Sequence, residues 1–211
     1  MPQRPTSLTR NLLVWATIIA AVFVPIITAA MSPLLAWRDP IYITGGFAGI
    51  IAMAFMLVQP LLARGQLPGF SVQRSRRIHR WTGLLLTLAV AVHVICLWIT
   101  SPPDMIDALL FVSPTPFSTW GVIGMWAIFA AALVALLRKP LRLKWRTTRT
   151  FHIGLVLVAV TASVIHALQI EGTMLTAPKI MLCALVSFAV LRAVAGIIKA
   201  PNVRTQDADQ H

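Results

Sequence analysis

Six nearly uninterrupted apolar runs divide the chain, separated by short segments rich in Pro, Arg and Asp, as turns between helices should be. They extend from about Leu12 to Met31, Ile43 to Ala63, Ile78 to Ile99, Thr119 to Leu137, Phe151 to Leu168 and Ala177 to Ile198. A helix of about 20 apolar residues crosses a hydrocarbon core of about 30 Å. The fold class predicted is therefore all-α, an integral membrane bundle of six transmembrane helices. Residues 1–10 form an N-terminal tail, 11–199 the six-helix domain and 200–211 a C-terminal tail. Arg4 and Arg10 precede the first run, and Ile27-Thr28-Ala29-Ala30 has some likeness to a signal-peptidase site. Its apolar core exceeds the roughly 7–15 residues of a signal peptide. A retained helix is expected, and cleavage would leave five helices with unchanged orientation.

Composition supports this reading. Hydrophobic residues make up 58% of the 211 and charged residues only 11%, against about 25% charged in a soluble domain. Mean hydropathy is +0.81. These values argue against a water-soluble enzyme and exclude a disordered chain. The net charge of +12 would suggest nucleic acid in a soluble protein. Here its distribution carries a topological message instead. With the N-terminus in the cytoplasm, sixteen of the eighteen Lys and Arg fall on the inner side, in the tails, the second-to-third connection and the fourth-to-fifth connection. Only Arg38 and Lys179 fall outside, with Asp39, Asp104, Asp107 and Glu171. The positive-inside rule then places both termini in the cytoplasm. The basic clusters need no nucleic-acid partner, and anionic membrane lipid suffices. Six of the seven tryptophans lie near predicted helix ends, where interfacial belts form, while Trp126 lies further in and is assigned to packing. Cys96 and Cys183 sit inside apolar runs without disulfide or zinc spacing. Gly45, Gly46 and Gly49 suit close helix packing.

The chemistry-bearing pattern is histidine. Apart from His211 in the tail, the histidines are His79 and His93 in the third run and His152 and His166 in the fifth. Each pair is fourteen residues apart, and Arg76 and Arg149 precede them at matching distances, so Arg-x2-His-x13-His occurs twice. Fourteen residues turn a helix to within about 40° of four full turns and rise about 21 Å. Both members of a pair thus share one face at two depths. The third and fifth helices are parallel, so His79 is level with His152 and His93 with His166. Ionisable side chains within a membrane are costly and usually functional. Two imidazoles from neighbouring helices can fill both axial positions of a heme iron, an arrangement that favours electron transfer over oxygen binding at the iron. The alternatives are interhelical hydrogen bonding alone and an ion or proton pathway, which would usually bring carboxylates into the spans. None lies there.

The sequence Arg76-Arg77-Ile78-His79-Arg80-Trp81-Thr82-Gly83 followed by His93 resembles the third helix of the ferric reductase-like transmembrane domain. Arg149-Thr150-Phe151-His152 followed by His166 resembles its fifth. That superfamily includes ferric reductases, NADPH oxidases and the heme-binding membrane subunit of the periplasmic methionine sulfoxide reductase system. The resemblance covers about residues 43 to 198. It implies a transmembrane b-type cytochrome, with two b hemes between the third and fifth helices and electrons passing outward across an inner, or plasma, membrane. His79 and His152 would hold the inner heme iron, and His93 and His166 the outer one. A single heme is the alternative stoichiometry. Arg76, Arg77, Arg80, Arg149 and Arg192 are candidates for pairing with inner propionates, since Arg suits carboxylates. The competing role for each is topology or snorkelling.

After the sixth run about a dozen residues follow, with no Gly-x-Gly-x-x-Gly for a nicotinamide cofactor. The expected donor is therefore a separate flavoprotein reductase, a membrane quinol or a loosely held flavin. The expected acceptor is a ferric chelate, oxygen or a periplasmic redox enzyme. The chain would be an oxidoreductase component with no catalytic side chain of its own. The methionine sulfoxide subunit often lacks the inner histidine of the third helix, which is present here as His79, so the set of four is closer to the reductase and oxidase branch. Two further alternatives are a quinol-linked cytochrome of the b561 type and a heme-free permease or assembly subunit.

Overall fold

The computed structural model describes residues 7–198; the tail assigned to 200–211 and the first six residues lie outside them. Within the described residues the chain is helical throughout, with no strand. Six helices are long and apolar enough to cross a membrane. They are α1 (Ser7–Ala30), α2 (Pro40–Ala63), α3 (Val72–Thr100), α5 (Pro116–Leu137), α6 (Trp145–Gln169) and α7 (Thr176–Ile198), with a short helix α4 (Pro102–Leu109) between α3 and α5.

The helices start earlier than hydropathy predicts because polar caps and basic turns extend them beyond the apolar runs. Asp39 caps α2 by accepting from the Ile41 and Tyr42 amides at 2.7 and 3.3 Å, with Pro40 at the first helical position. Ser71 caps α3 by accepting from the Arg74 amide at 3.2 Å. Arg74, Arg76, Arg77 and Arg80 therefore ride on the first turns of α3, and Arg146 and Arg149 on those of α6, rather than in loops.

Two antiparallel hairpins, α2–α3 and α5–α6, form the body of the bundle. Helix α7 packs against α2 and α6 and joins them, while α1 lies outside against α2 and α7. Helices α3 and α6 make no extensive contact with each other. The core is aliphatic: Val186 is fully buried in one cluster with Ile50, Met53, Met56, Met125 and Ile128, and Leu62 is fully buried near the end of α2. Leucines along α3 such as Leu84, Leu85 and Leu88 face outward, as a lipid-facing surface requires. Trp126 also points out of the bundle, 58% exposed, edge-on to Phe129. It is therefore not the interior packing residue its depth suggested.

The Arg-rich connections gather at one end of the bundle, called here the basic end. Ser75 is fully buried there and donates to the Leu62 carbonyl at 2.8 Å, closing the α2–α3 hairpin. Arg64 donates from Nη1 to the Ala193 carbonyl at 2.8 Å, tying α2 to the last turns of α7. Trp15 on α1 donates to the Pro68 carbonyl at 3.3 Å. The opposite, far end carries Asp39, Asp104, Glu171 and Lys179.

Candidate functional site

At each of the four intramembrane histidines, Nδ1 meets a backbone carbonyl of the preceding helix. His93 reaches Gly45 O at 2.7 Å and His166 reaches Phe117 O at 2.8 Å. His79 reaches Gln59 O at 3.3 Å and His152 reaches Ala131 O at 3.2 Å. A carbonyl only accepts, so the proton of each neutral ring sits on Nδ1. That leaves the Nε2 lone pair free on all four rings, which is how metal-binding histidines are oriented.

The acceptors repeat the spacing of the donors. Gly45 and Gln59 are fourteen residues apart on α2, and Phe117 and Ala131 are fourteen apart on α5. The two hairpins are thus internal copies of one device, a helix with two histidines held at two depths by its antiparallel neighbour. At the far end each anchor is followed four residues later by glycine. A Cβ on Gly49 would lie 3.1 Å from His93 Nδ1, and one on Gly121 would lie 2.8 Å from His166 Nδ1. These glycines leave the space in which the rings lie flat against the neighbouring helix. At the basic end the corresponding positions are Ala63 and Ala135.

The far-end rings approach edge to face, with centroids 6.4 Å apart and planes at 79°. With iron–nitrogen bonds of about 2 Å, typical of imidazole on a metal, two axial imidazoles put their ring centres about 6 Å apart. The observed separation fits that arrangement. His93 and His166 line a cavity of about 820 Å³ whose walls are mainly apolar, among them Met53, Met56, Val90, Leu97, Met125 and Ile128. That volume lies within the roughly 300–1,000 Å³ of cofactor and ligand sites. Among the described residues no three His, Cys, Asp or Glu side chains gather. What gathers here is a pair of imidazole nitrogens, a set that would suit a heme iron held from two sides.

The basic-end pair is built more loosely. His79 and His152 do not line this cavity. Gln59 instead braces the α2–α3 seam, its Nε2 donating to His79 O at 3.3 Å and to Thr82 Oγ1 at 3.0 Å. The five arginines predicted to face inner propionates, Arg76, Arg77, Arg80, Arg149 and Arg192, are all exposed at the basic end. None lines the cavity. Cys96 packs against Gly45 rather than lining it, whereas Cys183 is in its wall. The carbonyl anchors, Gly121, Gln59 and Lys179 have no signature in the histidine pattern. The signal that could have found Gly121 is its 72-residue offset from Gly49, close to the 73 between the histidine pairs.

The fold and site together define a helical membrane protein with histidines paired across two parallel helices. The sequence profile of the ferric reductase like transmembrane component matches residues 48–168, more than half of the chain and both histidine helices. The chain belongs to that family. No curated protein and no solved structure matches it at a significant level.

Proposed function

We propose that the chain is a b-type transmembrane cytochrome that carries electrons between a donor at its basic, cytoplasmic end and an acceptor at its far, extracytoplasmic end, in a bacterial-type inner membrane. The observation that carries this reading is the far-end pair: two imidazoles 6.4 Å apart in the wall of a largely apolar cavity, each fixed through Nδ1 with Nε2 free. A bound heme would supply one-electron chemistry at an iron closed to further ligands. The protein's part is to hold the axial nitrogens, set their tautomer and keep the site dry. His93 and His166 would hold the far-end iron, and His79 and His152 the basic-end iron. The repeat of anchors across both hairpins supports two sites rather than one.

In this reading the donor is a flavoprotein or a quinol, and the acceptor a ferric chelate, oxygen or a periplasmic redox enzyme. The test is the oxidised and dithionite-reduced visible spectrum of the purified protein, with heme quantified per chain. About two low-spin hemes per chain are expected. One heme would move the assignment to a membrane subunit serving a periplasmic reductase. Colourless protein, after expression with heme supplied, would overturn the electron-transfer reading in favour of a heme-free permease or assembly subunit with hydrogen-bonding histidines.

A further inference from the structure

The cavity wall contains one ammonium group. Lys179, in the first turn of α7, lines it and donates from Nζ to the Ile170 carbonyl at 2.8 Å. Ile170 is the residue that ends α6, four positions after His166. The carbonyl uses one of three ammonium protons. Lys179 forms no ion pair with a carboxylate among the described residues, although Asp104 and Glu171 also line the cavity. Asp104 is engaged by the Ser101 hydroxyl at 2.6 Å. The other far-end cation, Arg38, is not in the wall; its guanidinium lies 4.9 Å over the Tyr42 ring. Lys179 is half-buried at the rim of a mainly apolar cavity, with two ammonium protons left over and no carboxylate paired to it. A ligand bringing a carboxylate to that position would supply the missing partner.

Heme b carries two carboxylates as well as its iron. We propose that Lys179 is the counter-ion for a carboxylate of the cofactor held by His93 and His166. This rests on the heme reading above. The five arginines of the basic end cannot serve that function, because they lie at the other end of the bundle. Lys179 is a positioning residue: it acts on the cofactor's periphery, while the histidines hold its iron.

The experiment compares full-length wild type with K179M, K179Q, K179R, E171Q and H93A in detergent. It reads heme per chain, the rate of heme transfer to an excess of apomyoglobin, and the midpoint potentials in a redox titration. A charge-assisted hydrogen bond of ordinary strength predicts roughly ten- to a hundred-fold faster release of one of the two hemes in K179M and K179Q. The midpoint of that heme becomes more negative, since a nearby positive charge favours the reduced form. K179R restores both. The pair K179M and K179Q guards against a folding defect peculiar to one side chain.

If H93A loses a heme while both Lys179 variants release and titrate like wild type, the Lys179 assignment is overturned and the heme reading stands. If E171Q loosens the heme as much as K179M, Lys179 serves Glu171 rather than the cofactor, and the assignment is again overturned. If wild type binds no heme, both readings are overturned together.

Discussion

The two ends of the histidine ladder use one construction with different tolerances. At the far end the Nδ1 anchors are 2.7 and 2.8 Å, glycines lie beneath both rings, and both rings line one cavity, edge to face. At the basic end the anchors are 3.3 and 3.2 Å, alanines replace the glycines, and exposed arginines crowd the helix starts. The longer contacts lie at the edge of hydrogen-bond geometry, where the interaction weakens. Pre-organisation is therefore unequal: the far-end rings are held closely by their carbonyls, while those of the basic end are held at longer range.

The largest effect expected is loss of a whole site. His93→Ala or His166→Ala should lower heme content from about two per chain to about one, and the remaining heme should keep its midpoint potential. His79→Ala should do the same at the other site. Heme quantification and redox titration of each variant check this. An unchanged spectrum in His93→Ala would break the comparison at its root.

Next comes the space under the rings. Gly121→Val places carbon where His166 now rests, and overpacking of that kind costs about 1–3 kcal/mol. The ring cannot yield without lengthening its bond to Phe117 O. Ala135→Val, at the equivalent place in the looser site, should cost well under that. The readout is heme retention with thermal stability in detergent. Equal sensitivity at both positions would show that the glycines do not set the far-end geometry.

Gln59→Leu should have a smaller effect, confined to the basic end. It removes the side-chain bonds to His79 O and Thr82 Oγ1. The Gln59 carbonyl that anchors His79 belongs to the backbone and survives. Interhelical hydrogen bonds in membranes average about 0.6 kcal/mol, so a modest drop in melting temperature is expected. A changed midpoint at the far-end heme would show that the two ends are coupled, contrary to the comparison.

Much of this molecule is legible in its sequence because lipid imposes a simple code. Apolar length reveals the six spans, and a spacing of fourteen reveals a shared helix face, since both depend on side chains. What stayed hidden depends on the backbone. The acceptors for the histidines are Gly45, Gln59, Phe117 and Ala131, four residue types with nothing in common but a carbonyl. Helix α4 is too short and too polar, with Asp104 and Asp107 inside it, to register in a hydropathy scan. The arginines were legible as charge, but their exposure was not, because hydropathy ends each helix where the apolar run ends, although α3 begins six residues earlier. Lys179 looked like an exception to a charge rule, and only the packing of α7 against α6 puts it in the cavity wall.

The smallest effect expected lies where α2 meets α7, away from both histidine pairs. A Cβ on Gly196 would collide with the Arg64 guanidinium that donates to the Ala193 carbonyl. The colliding group is the end of a long, exposed side chain, so it can swing aside rather than strain the helices. Gly196→Ala should then cost no more than the one displaced hydrogen bond, about 0.6 kcal/mol. Arg64→Met should cost a similar amount. The informative variant is the double one. If Gly196→Ala acts only by evicting Arg64, the second substitution adds nothing once the arginine is gone, and the pair is strongly non-additive. Melting temperatures of the four species in detergent decide it. Additive losses would mean that Gly196 serves helix packing in its own right, and that the basic end is more tightly built than its histidine anchors indicate.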